Sequence, residues 1–207
     1  MPCGCNSGGE RVSFDVVIVG IGGQGTILAS DIIGISAMKT GYPVRASETH
    51  GMAQRGGSVE NHIRINCELG PRIGDGEADL MIAMEPVEAL RYSRYLSEKS
   101  VLLLNTHPIP PPGRIVGRDY PEVRVIEESL KKITAKVISE NFTEVAKSAG
   151  GIFTLNMVML GASTPFLPLD VSVIEETIRE LVPGETIERN LSSFRKGRET
   201  VEKINNV

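Results

Sequence analysis

The sequence predicts an α/β fold: a Rossmann-like three-layer sandwich with a mostly parallel sheet and a C-terminal helical extension. Three observations predict it. Apolar runs rich in β-branched residues, FDVVIV at 14–19 and ADLMIAM at 78–84, read as strands buried on both faces. The first run passes into a glycine-rich turn and then into apolar residues at helical spacing. Strand–helix alternation then gives way, towards the C-terminus, to helices alone.

The elements follow in order. After the strand at 14–19 come Gly20, Ile21, Gly22, Gly23, Gln24 and Gly25, then Ile27, Leu28, Ile32, Ile33 and Ile35 at helical spacing to about Lys39. Gly41 stops the helix. A second strand begins at Val44, so the first 47 residues read as a βαβ unit. Residues 47–57 are polar, hold three glycines and read as a loop. Val59, Ile63 and Ile65 mark a strand over 58–66, and Pro71, Gly74 and Gly76 mark turns. After the strand at 78–84, Pro86 opens a helix carrying Val87, Leu90, Tyr92 and Leu96. A strand follows at 101–104. The proline run at 107–113 excludes helix and central strand and reads as an extended connection. Residues 123–126 and 136–138 read as short edge strands, and 142–149, 153–160, 172–181 and 187–204 as helices. Residues 1–12 read as a flexible tail. The remainder, 13–207, reads as a single α/β domain whose C-terminal helices begin at about 141.

Composition excludes several function classes. The chain has 207 residues, 41% hydrophobic and 23% charged, a globular balance. A net charge of −4, no Trp and 4% aromatic residues argue against nucleic-acid binding. Arg195, Lys196 and Arg198 stand among glutamates, as on a solvated helix face. No run of about 18 apolar residues suggests a membrane span, and the first twelve residues lack the apolar stretch of a signal peptide. The expected compartment is the cytoplasm. Cys3, Cys5 and Cys67 are an odd number, which argues against a disulfide framework. They are also too few for an iron–sulfur cluster or a closed zinc site, so no metal is expected on this chain.

The turn Gly20-x-Gly22-x-x-Gly25 matches the dinucleotide-binding pattern and sits where that mechanism needs it, between a strand and a helix. Its glycines let backbone N–H groups approach a phosphate at the positive end of the helix. Glu48, 23 residues beyond Gly25, stands where a ribose-binding carboxylate would be sought. On these residues a free-standing NAD-dependent dehydrogenase is one reading, and a nucleotide-binding regulatory domain another. Against them, the turn holds an extra glycine, Gly23, and the bulky amide of Gln24. The plainer reading is that the glycines only allow close helix–strand packing. In the loop at 47–57, Arg55 beside Gly56 and Gly57 offers a bidentate grip on a carboxylate or phosphate, or is a plain surface arginine. His50 is a minor catalytic candidate. Glu60, His62 and Arg64 alternate on one strand face, which meets a partner or polar site, or is the solvated face of an edge strand. No nucleophile–base–acid set is visible, which points to a binding domain or an enzyme subunit with the chemistry elsewhere.

Three blocks, VVIVGIGGQGTILASDIIG, SETHGMAQRGGSVENHIRI and GEADLMIAMEPVEALRY, resemble the β subunit of indolepyruvate:ferredoxin oxidoreductases. The loop His50-Gly-Met-Ala-Gln-Arg-Gly-Gly57 is the most specific piece, and Asn156-Met-Val-Met-Leu-Gly161 also fits. The resemblance spans roughly residues 14–161. It implies the small subunit of a heteromeric enzyme that oxidatively decarboxylates arylpyruvates with coenzyme A and reduces ferredoxin. It also implies that thiamine diphosphate and the iron–sulfur clusters sit on a large α subunit, with no cofactor bound by this chain alone and the isolated chain inactive. It recasts the turn as well: Gly22, Gly23, Gln24 and Gly25, with Arg55, Gly56 and Gly57, would face coenzyme A or the partner, not NAD.

Overall fold

A computed structural model describes residues 13–50, 56–67, 70–110 and 120–205. Its strands are β1 (Phe14–Ile21), β2 (Val44–His50), β3 (Ser58–Ile65), β4 (Leu80–Ala83), β5 (Val101–Asn105) and β6 (Lys136–Glu140). Its helices are α1 (Thr26–Lys39), α2 (Pro86–Arg91), α3 (Val123–Leu130), α4 (Phe142–Ala149), α5 (Leu155–Ser163), α6 (Val171–Leu181) and α7 (Ile187–Asn205). The strands form one sheet in the order β2-β3-β1-β4-β5-β6. β1, β4, β5 and β6 pair in parallel, whereas β3 is antiparallel to both its neighbours. Only β3 therefore runs against the other described strands, and the sheet is mixed but mostly parallel.

Alternation along the strands explains the layers. Val16, Ile18, Leu80, Ile82 and Leu103 point to one face, where Ile32 and Ile33 of α1, Phe142 of α4 and Phe194 of α7 close a core. Val17, Val19, Met81, Leu102 and Leu104 point to the other, against Ala89, Tyr95, Ile126 and Leu130. Covering both faces is what continuous apolar strands require. Among the described residues no single helix is long and apolar enough to cross a membrane.

The structure corrects the sequence reading in five places. First, residues 123–126 belong to α3, not to an edge strand. Ile126 and Leu130, four residues apart, insert into the second core while Val125 stays exposed, so burial at helical spacing overrides β-branched propensity. Second, 47–50 are strand, because β2 and β3 form a hairpin with Ser47 opposite His62 and His50 opposite Val59. Being an edge strand, β2 tolerates the polar residues that made it read as a loop. Third, β2 does not neighbour β1, because β3 lies between them. Fourth, β3 is interior, and Glu60, His62 and Arg64 are buried rather than solvated. Fifth, Cys67 is buried and disulfide-bonded, contrary to the expectation from the odd cysteine count. The predicted tail at 1–12, with Cys3 and Cys5, lies outside the described residues, as do 51–55, which include Arg55.

Candidate ligand edge of the sheet

β1, β4 and β5 end at one edge of the sheet, and β3 begins there. Beyond strand carboxyl ends is where open α/β sheets bind ligands. The glycine turn is built at that edge from three separate constraints. Gln24 folds back so that its Oε1 accepts the Ile21 N–H at 2.7 Å while its Nε2 donates to the Met84 carbonyl at 2.9 Å. That ties the end of β1 to the end of β4. Gly20 permits it, since a β-carbon there would lie 2.7 Å from Gln24 Oε1. Gly25, at φ 75°, caps α1, and a β-carbon on it would lie 2.6 Å from Asn156 Nδ2. Asn156, at the start of α5, donates to the Gly25 carbonyl at 3.3 Å. Two fingerprint glycines thus serve packing.

The other two glycines open outward. Gly22 donates to the Gly57 carbonyl at 2.8 Å and accepts from the Gly56 N–H at 3.3 Å, carrying the β1–β3 ladder past the strand ends. The glycine turn and the Gly56–Gly57 pair, far apart in sequence, therefore lie together at this edge. Gly23 is exposed at φ 105°, with no atom within 4 Å of where its β-carbon would stand. α1 carries neither a side-chain cap nor an acidic residue in its first turn. The positive end of its dipole is left for an anion from outside.

The end of β4 holds the neighbouring loops. Buried Glu85 caps α2 by accepting the Glu88 N–H at 3.0 Å. Its other oxygen accepts the Ile109 N–H at 3.2 Å and the Tyr120 hydroxyl, tying down Ile109 within the proline run and Tyr120 beyond it. Burial, and then that carboxylate, push the Tyr120 phenol far above its ordinary range. Glu88 accepts from Ser58 Oγ and, at 2.8 Å, from Arg91. Burial raises its carboxyl above the usual value, with Ser58 and Arg91 opposing the shift. Asn105, fully buried, donates to the Met84 carbonyl at 3.0 Å and accepts the Thr143 N–H at 3.2 Å.

The row along β3 lies behind this edge and serves structure. Arg64 grips Asp15 bidentately at 3.0 and 2.9 Å. His62 Nδ1 accepts the Ile73 N–H at 3.1 Å, and its ring meets Tyr95 edge-on at 4.9 Å.

This arrangement can hold an anionic ligand against backbone N–H groups, while the acidic and hydroxyl side chains described near it, Glu85, Glu88, Ser58 and Tyr120, are engaged with one another and with neighbouring backbone. Among the described residues no group of three or more His, Cys, Asp or Glu side chains could hold a metal ion, so an iron–sulfur centre does not fit them. The dinucleotide reading also loses its second anchor. Glu48 lies on β2, two strands from β1, about 5 Å further across the sheet than a carboxylate on the strand next to β1 would stand. Of the expected residues, Gly22, Gly23, Gln24, Gly25, Gly56 and Gly57 come together. Gln24 is a structural tie rather than an outward-facing group. Glu85 and Asn105 were not singled out from sequence, and Asn156 entered only as the first residue of a block that carries the resemblance. Of their surroundings, only the helix start marked by Pro86, next to Glu85, carried a readable local signal.

Residues 15–200 match the family model described as pyruvate ferredoxin/flavodoxin oxidoreductase. Indolepyruvate oxidoreductase subunit IorB of Archaeoglobus fulgidus is 42% identical over 187 residues, which are 89% of this chain and 93% of that protein. The fold matches the gamma subunit of a keto/oxoacid ferredoxin oxidoreductase from Geobacter sulfurreducens with a TM-score of 0.68 and 24% identity, over 92% of this chain and 99% of that one. It also matches the 2-oxoglutarate:ferredoxin oxidoreductase of Magnetococcus marinus, solved with 2-oxoglutarate, coenzyme A and succinyl-CoA bound. There the TM-score is 0.72 at 19% identity, and the match covers 94% of this chain but 32% of the other.

Proposed function

From its membership of the pyruvate ferredoxin/flavodoxin oxidoreductase family, to which this chain belongs, we infer the part it plays in catalysis. It is a small subunit of a heteromeric 2-oxoacid:ferredoxin oxidoreductase, of the indolepyruvate type. Within that enzyme its role is to present the glycine edge to coenzyme A. The partner is a larger α subunit that carries thiamine diphosphate and the iron–sulfur clusters, and the complex passes electrons to ferredoxin in the cytoplasm. Thiamine diphosphate and the clusters supply the decarboxylation and electron-transfer chemistry. This chain's residues bind and orient.

The observation that carries this reading is the joining of Gly22 to Gly56 and Gly57 beside the uncapped start of α1. Coenzyme A is a phosphate-rich anion, and backbone N–H groups at a helix N-terminus suit it. Arg55, next to Gly56 in sequence, supplies the matching charge. The coenzyme A complex of the Magnetococcus enzyme, which has this fold, is consistent with that role.

The test is kinetic, in the assembled enzyme. Arg55→Ala should raise the Michaelis constant for coenzyme A roughly ten- to a hundredfold, the effect of losing one hydrogen bond to a charged group. The constant for the 2-oxoacid should stay within about twofold. Unchanged constants for both would remove Arg55 and the glycine edge from coenzyme A binding.

A further inference from the structure

Phe153 is 93% exposed, more than any other large apolar side chain among the described residues, and Ile152 beside it is 47% exposed. They stand on a tight helical turn, Ile152–Thr154, between α4 and α5. The turn is held firmly. Thr154 Oγ1 donates to the Gly151 carbonyl at 2.8 Å and lies 2.7 Å from Ser193 Oγ on α7, both side chains buried. Gly150 lets α7 approach, since a β-carbon there would lie 2.4 Å from Ser193 Oγ. Gly151 takes φ 101° to enter the turn. The chain thus displays an aromatic ring on a fixed mount rather than on a loose loop. Three residues later Asn156 touches Gly25, and two residues beyond Gly25 the side chain of Ile27 is 45% exposed. The exposed side chains of Phe153 and Ile27 thus lie within three residues, along the chain, of the contact that sets the glycine turn.

The other exposed large apolar side chains among the described residues, such as Met38, Val125 and Ile204, lie on separate elements, and none of them is an aromatic ring. Scattered residues of that kind are ordinary. A fixed aromatic with apolar neighbours is the make-up of an interface anchor. What covers it follows from the rest of the enzyme. The chain is a subunit of a heteromeric oxidoreductase with no complete catalytic set among its described residues. In the Magnetococcus protein the same fold occupies 32% of a longer chain, so there the fold is joined to about twice its own length of further protein. A ligand held at the glycine edge reacts only if the catalytic subunit closes over that edge, and Phe153 is three residues from Asn156, which touches Gly25 there.

We propose that Phe153, with Ile152 and Ile27, anchors this chain to the catalytic subunit of its complex by entering an apolar pocket on that subunit beside the glycine edge. The proposal rests on the reading that the chain is a subunit whose glycine edge faces the shared active site. Burying a phenylalanine that is otherwise left in water stabilises the complex, and aromatic anchors typically carry 2 kcal/mol or more, a loss of about 30-fold in affinity when removed.

The test compares wild type, Phe153→Asp and Phe153→Leu, each purified alone and titrated against the catalytic subunit. All three isolated chains should show the same circular dichroism and thermal midpoint, because the ring touches solvent. Phe153→Asp should lose about 30-fold or more in affinity, and Phe153→Leu should keep most of it. Wild-type affinity in Phe153→Asp overturns the proposal. So does normal assembly with a raised Michaelis constant for coenzyme A, which would make the ring a stacking surface for the ligand. If the wild-type chain itself binds no catalytic subunit, the functional reading falls and the docking with it. The wild-type titration therefore separates that failure from failure of the anchor alone.

Discussion

His62 shows how one buried side chain ties protonation to folding. Its Nδ1 accepts the Ile73 N–H, so it must be neutral in the folded chain. Burial lowers its pKa below the ordinary value of about 6.5, with Glu60 opposing and Arg72 and Arg94 reinforcing the shift. The unfolded chain therefore takes up the proton first. Stability from His62 is complete above about pH 6.5 and is lost as pH falls from there towards the lowered folded value. The slope is at most about 1.4 kcal/mol per pH unit. Asp79 and buried Glu88 act in the opposite sense. Their raised carboxyl pKa values add stability as pH falls through the folded values towards the unfolded ones. Both remain in a His62→Asn variant, whose side-chain oxygen can still accept from Ile73. The difference between wild type and variant thus isolates the imidazole. Urea midpoints measured from pH 7.5 to 5 should fall more steeply for wild type than for His62→Asn, and parallel profiles would contradict this account. From sequence, the alternation of Glu60, His62 and Arg64 was legible but their burial was not. What covers them is the segment at 70–78 and the Tyr92–Tyr95 turn, and no local pattern says where those pack.

At the scale of elements, the fold was read most reliably where burial shapes every residue of a segment. β1, α1, β4 and α4 lie close to where periodicity put them, since continuous apolar runs and helical spacing follow directly from being covered on both faces or on one. The far end of β2 and the whole of α3 were misread for a shared reason. Edge strands and outer helices bury at most a few side chains, so composition outweighs pattern. The α5–α7 contact shows a third case, written in glycines that sequence alone does not interpret. A β-carbon on Gly161 would lie 1.8 Å from the Phe194 carbonyl oxygen, and one on Gly197 would lie 1.9 Å from that of Val158. Each helix thus meets the other's backbone through a glycine, and neither carbonyl can move without breaking its helix. Overpacking of this kind costs about 3 kcal/mol or more, at or beyond the upper end of ordinary core insertions. Gly161→Ala and Gly197→Ala should each lower the urea midpoint by that equivalent or leave the protein insoluble. A variant such as Ser192→Ala on the exposed side of α7 should change it by less than about 0.5 kcal/mol. Midpoints near wild type for both glycine variants would mean that the two helices can separate cheaply.

For the whole molecule, the described residues form a packed scaffold with no complete catalytic set among them. Both faces of the sheet are covered, and Gln24, Glu85, Glu88 and Asn105 fasten the loops at the ligand edge. A subunit built this way should fold by itself. The glycine edge was legible because backbone freedom has to be encoded locally. The ties that shape it were not, because Asn156 meets Gly25 across 131 positions and the Gly22–Gly57 bonds depend on a hairpin. Self-sufficiency in folding and dependence in chemistry give one final expectation. The isolated chain should unfold cooperatively in urea, yet carry no stoichiometric iron or acid-labile sulfide and reduce no ferredoxin with indolepyruvate and coenzyme A. Three cysteines are too few for a four-thiolate cluster, and Cys67 is already committed to a disulfide. Mixing with the larger subunit should restore turnover in proportion to complex formed, as the proposed role of the glycine edge in the shared active site requires. Metal analysis of the purified chain and an activity titration at fixed catalytic subunit measure both halves. Stoichiometric iron in the isolated chain would move cluster chemistry onto this subunit. Full turnover by the larger subunit alone would leave the glycine edge with no part in the reaction.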